Sequence, residues 1–70
     1  MSVYLSILEA LRRVGGKALE QNLLDEVRKR GLEISHEILT QTLLKLEIHG
    51  KVRVLSLDQQ RRVVELVENT

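Results

Sequence analysis

SHEILTQTLLKLEIHGKVRVLSL, residues 35–57, changes its hydrophobic period once, at Gly50. Before the glycine, Leu39, Thr42, Leu43 and Leu46 recur at the spacing of one helix face, with Ile38 on its shoulder. After it, KVRVLSL (Lys51 to Leu57) alternates with period two and is rich in β-branched residues, as a strand requires. Ser35 stands where a helix needs an N-cap, because its hydroxyl can accept from an otherwise unpaired backbone N–H. Ile34 before the cap and Leu39 four residues after it are placed for a hydrophobic staple. Gly50 supplies the residue type that closes helices in the left-handed conformation. The stretch predicts a helix over about 36–49 running directly into a strand.

Toward the C-terminus, RRVVELV (Arg61 to Val67) repeats the strand pattern, and Asp58-Gln59-Gln60 separates the two runs. This turn lacks the Asn-Gly or Asp-Gly of a two-residue hairpin, so a loop of three residues or more is expected. With that loop, Val54 faces Val64, Val52 faces Leu66 and Arg53 faces Glu65, giving apolar pairs on one side and an opposite-charge pair on the other. A one-residue slip would set Val54 against Glu65. The expected hairpin covers about 51–67 and leaves Leu55, Leu57, Val63 and Val67 on the face away from the core.

Toward the N-terminus, a second helix is expected over about 18–30, with Leu19, Leu23, Leu24 and Val27 on one face and Gly31 at its end. Arg28, Lys29 and Arg30 crowd its last turn, where cations offset the negative end of the helix dipole. A first helix is expected over about 2–14, carrying Tyr4, Ile7, Leu8, Leu11 and Val14 as its stripe and ending at Gly15-Gly16. Val3, Leu5 and Ala10 fall off that stripe. The fold class is therefore mainly α with a small β hairpin (α+β), as a single domain over residues 1–70.

Composition bounds the chemistry. A chain of 70 residues hides only about 60% of its unfolded surface, so its core is marginal. There is no cysteine to staple it. The two histidines, His36 and His49, lie on one helix about 20 Å apart by helical rise, too far to share a metal ion. Leu, Val and Ile number fourteen, eight and four, against one Tyr and no Phe or Trp. Aliphatic side chains suit packed helices, and the missing rings exclude base-stacking platforms and aromatic cages. Net charge is +1, and no apolar run is long enough to span a membrane. No basic stretch leads into an apolar one at the N-terminus, so the chain reads as cytoplasmic. Glu33 and His36 could pair, but they have no third member. Without a nucleophile motif or a phosphate loop, no enzyme, cofactor or small-molecule substrate is expected.

Three helices followed by a hairpin resemble the winged helix-turn-helix superfamily, in particular its small archaeal and bacterial DNA-binding regulators. The resemblance covers essentially the whole chain. Residues 35–57 carry it, where a Leu-rich helix face passes through Leu43 and then Leu46-x-x-x-Gly50 into a basic strand. It implies that helix 3 enters the major groove of double-stranded DNA while the wing touches the backbone or minor groove. A short strand around residues 16–18 is usual in the superfamily, and this sequence permits one. Carried onto these positions, the DNA-binding residues are Ser35, His36, Thr40, Gln41 and Lys45 on helix 3, with Lys51, Arg53, Arg61 and Arg62 in the wing. Gln41 and Lys45 are residue types that read adenine and guanine edges. The adjacent cations Arg61 and Arg62 repel unless something negative answers them, which points to phosphate.

A second reading stands beside this one. The sequence pI of about 8.2 is low for a nucleic-acid module, and Glu37 and Glu47 lie on or beside the same helix. Leu44 and Ile48 project from it four residues apart and, with Leu55 and Val63, could form a protein-interaction surface. Apolar residues left outside the core also lead us to expect a homodimer.

Overall fold

A computed structural model describes residues 2–67. Its elements run α1 (Val3–Arg13), β1 (Lys17–Leu19), α2 (Glu20–Lys29), α3 (His36–Ile48), β2 (Val52–Ser56) and β3 (Arg62–Leu66). The strands form one antiparallel sheet in the order β1-β3-β2. The sequence reading of three helices and a hairpin is thus completed by a third strand on the far edge of β3.

That strand corrects the expected start of the second helix. Lys17–Leu19 is extended rather than helical, and α2 begins at Glu20. Ala18 pairs with Val64 and Leu19 with Val63, while Leu66 N donates to Gly16 O at 2.7 Å. The open edge of β3 offers backbone partners that outweigh the local helical spacing of Leu19, an interaction invisible to a local pattern.

The stripe of α1 is also rotated from the expected one. Ile7, Ala10 and Leu11 are buried and Val3 and Leu8 pack against them, whereas Tyr4 and Val14 are exposed. Ala10, expected outside, is fully enclosed because α1 packs against both α2 and the sheet, a wider contact than a single stripe supplies. Ser2 caps this helix, its hydroxyl accepting from Leu5 N at 3.4 Å. On α3 the pattern is as expected: Leu39, Thr42, Leu43 and Leu46 face inward, and Ser35 Oγ accepts from Ile38 N at 3.1 Å.

All three helices close with the same hydrogen bond, from the second residue past the cap to the carbonyl five residues earlier: Gly16 to Leu11 (2.8 Å), Leu32 to Val27 (3.1 Å) and Lys51 to Leu46 (2.8 Å). At the last of these, Gly50 adopts a φ of 73°, the middle of three residues that turn α3 into β2. The hairpin register is the one required by pairing: Val52↔Leu66, Arg53↔Glu65 and Val54↔Val64. Its loop closes where Leu57 N donates to Arg61 O at 2.9 Å.

The core lies between the three helices and the inner face of the sheet. It joins Ile7, Leu11, Leu23, Leu24, Val27, Leu39, Leu43 and Val64, all essentially without solvent contact. Among the described residues, no helix is long and apolar enough to cross a membrane.

Candidate nucleic-acid interface

The outward face of α3 presents His36, Glu37, Gln41, Leu44 and Lys45 to solvent, with Thr40 half-buried. Thr40 Oγ1 donates to His36 O at 3.0 Å, so its hydroxyl is engaged within the helix. Among the described residues, the side chains of Gln41 and Lys45 have no hydrogen-bond or ion-pair partner. They stand four residues apart and therefore point the same way.

The helix-turn-helix corner is fixed by the first residue of the basic run. Arg28 donates from Nε and Nη2 to Ile34 O at 3.2 and 3.1 Å, tying the end of α2 to the approach to α3. Ile34 is partly buried and packs against the core cluster that contains Leu39.

In the hairpin, two outward-facing rows cross the sheet. Lys17, Glu65 and Arg53 form one, with Glu65 lying 3.9 Å from Lys17 and 3.7 Å from Arg53. Leu19, Val63 and Leu55 form the other, and there Leu55 is exposed. At the loop, Asp58 Oδ1 accepts from Gln60 N (2.9 Å) and Arg61 N (2.8 Å), and Oδ2 accepts from Arg61 Nε at 2.8 Å. The Gln60 N–H, then the Arg61 side chain and N–H, hold the Asp58 carboxyl below its ordinary pKa. Lys51 is not brought to this end. It lies before β2, in a shallow groove with Tyr4, Leu5, Leu8, Leu46 and His49.

Sequence reasoning missed Glu20. This residue is only 6% exposed, and its Oε1 accepts from both His36 Nε2 and Arg62 Nη2, each at 2.8 Å. Arg62 Nη2 also lies 3.4 Å from Thr40 Oγ1, so the start of β3 touches the first turns of α3. The adjacent cations are therefore answered from within: Arg61 by Asp58 and Arg62 by Glu20. Two signals were available. Glu20 precedes Leu23, Leu24 and Val27 by three, four and seven residues, which puts it on the buried face of α2. The hairpin register places Arg62 in phase with Val64 and Leu66, on the inner side of the sheet.

Two exposed apolar residues share the face of α3. Leu44 is 58% exposed and Ile48 is 74% exposed. Among the described residues, no group of three His, Asp or Glu side chains is placed to hold a metal ion.

This arrangement of helices and strands is similar to that of a solved structure, F93 from STIV, described as a winged-helix DNA-binding protein. The two superpose with a TM-score of 0.79 and 26% sequence identity, over 93% of this chain and 71% of that one. The chain is a winged helix. In this winged helix α2 and α3 form the helix-turn-helix, β2 and β3 form the wing, and the Glu20–Arg62 pair joins the two parts. No family model matches the chain, and no curated protein does.

Proposed function

We propose that this winged helix is a double-stranded DNA-binding module of a transcriptional regulator, with α3 in the major groove and the wing along the backbone. The observation that carries the reading is the pair Gln41 and Lys45, exposed and without internal partners on one face of α3. Their side chains suit adenine and guanine edges. The fold supports it, because the structural neighbour is described as DNA-binding. Ser35, His36 and Thr40 line the start of α3, where a helix N-terminus favours phosphate. Arg53 and Arg61 sit in solvent-exposed ion pairs, which are worth about 0–1 kcal/mol and are readily exchanged for phosphate. Lys51 would reach the backbone only from the base of the wing, and Arg62 only from beside Glu20.

Fluorescence anisotropy with a labelled duplex at several salt concentrations tests this reading. Binding should weaken linearly on a log–log plot, and Arg53→Ala should flatten the slope by about 0.9. Absence of binding at about 50 mM salt would overturn it.

The exposure of Leu44 and Ile48 favours a second reading, a protein-interaction module that uses these residues with Leu55 and Val63. In that case Leu44→Ala and Ile48→Ala, rather than Lys45→Ala, would abolish partner binding. The same apolar exposure supports a homodimer, and sedimentation giving a monomer at micromolar concentrations would count against it.

A further inference from the structure

Glu20 is an anion placed inside an interface that is meant to receive anions. It is buried at the start of α2, and one of its oxygens takes a donor from α3 (His36) and a donor from the wing (Arg62). The other charged pairs of the wing, Arg53–Glu65 and Arg61–Asp58, lie in solvent and exchange with little cost. Glu20 differs, because a buried carboxylate stripped of its cation has no water to replace it. Arg62 is also held on the inner side of the sheet, its side chain only 36% exposed.

We propose that Glu20 is a built-in stand-in for a DNA phosphate, neutralising Arg62 and tethering His36 so that general affinity for the backbone stays low and discrimination is left to Gln41 and Lys45. This inference rests on the DNA-binding reading and adds the residue that sets its charge balance. It accounts for a wing with adjacent arginines on a chain whose net charge is only +1. An acid in the first turn of α2 would also favour the helix dipole, but that role needs neither Arg62 nor His36.

The test is Glu20→Gln, which keeps the shape and an oxygen acceptor for Arg62 while removing the charge. Binding to a labelled duplex of random sequence is followed by anisotropy across a salt series, with folding checked by circular dichroism. The variant should bind about five- to tenfold more tightly near 0.1 M salt, with a slope steeper by about 0.9 for the one phosphate gained. The gain should vanish in an Arg62→Ala background, which a purely structural role would not require. Equal or weaker binding by folded Glu20→Gln would overturn the proposal while leaving DNA binding intact. Should that variant not fold, Arg62→Ala alone decides: it should flatten the slope by less than half the effect of Arg53→Ala, and an equal effect overturns the proposal. Failure of both wild type and Glu20→Gln to bind would overturn the DNA reading itself.

Discussion

Glu20 Oε1 and Arg62 Nη2 lie 2.8 Å apart although 42 positions separate them in the chain. The pair continues the β1–β3 register, in which Lys17, Ala18 and Leu19 face Glu65, Val64 and Val63. It therefore closes the sheet edge against the start of α2 and α3. Removing the carboxylate leaves a half-buried guanidinium without its counter-charge. Glu20→Ala should lower stability to urea by about 1–3 kcal/mol, less than for a fully enclosed pair because Arg62 still reaches water. The double variant with Arg62→Ala should cost less than the sum of the single changes. Additive costs would show that the pair contributes nothing of its own.

Gln41→Ala should alter sequence preference more than overall affinity. Its amide is free in the folded protein, so truncation leaves no unsatisfied internal group and little change in stability. Selection from a randomised duplex pool should show one position losing preference, corresponding to about 1–3 kcal/mol of discrimination. A uniform loss across all sequences would place Gln41 on the backbone instead.

Gly50→Ala isolates a backbone cost. The glycine has a φ of 73°, and an added Cβ would meet nothing within 4 Å. The penalty is then conformational alone, about 1–2 kcal/mol, and urea unfolding should show it without loss of the folded signal. A neutral effect would mean that the turn from α3 into β2 can close with another geometry.

Asp58 gives the wing loop a pH dependence. Its carboxyl titrates below the ordinary value in the folded chain, owing first to the Gln60 N–H and then to Arg61. The stability it supplies is therefore complete above the ordinary Asp pKa of about 4 and lost as pH falls through its lowered value. Asp58→Asn should melt below wild type near neutral pH, and the gap should close in acid. A gap independent of pH would show that the charge is not what holds the loop.

Much of this was legible because it is local. Ser35, the inward stripe of α3, Gly50 and the hairpin register follow from spacing and pairing over a few residues, and the structure shows each. Local spacing did not show the extended conformation of Lys17–Leu19, for which only the superfamily resemblance left room, because its partner strand is more than forty residues away. The burial of Ala10 was missed for a related reason: α1 packs against α2 and the sheet together, and periodicity describes one face at a time.

The candidate interface divides along the same line. Which residues stand outward on α3, and that Gln41 and Lys45 share a side, were set by helical period within the sequence itself. Which cations are already answered was decided only by tertiary structure. Arg61 finds Asp58 within its own loop, but Arg62 meets a carboxylate from the start of α2. Charge pairing acts through space over a few ångströms, so the adjacent arginines looked alike in sequence until the sheet placed one outward and the other against Glu20.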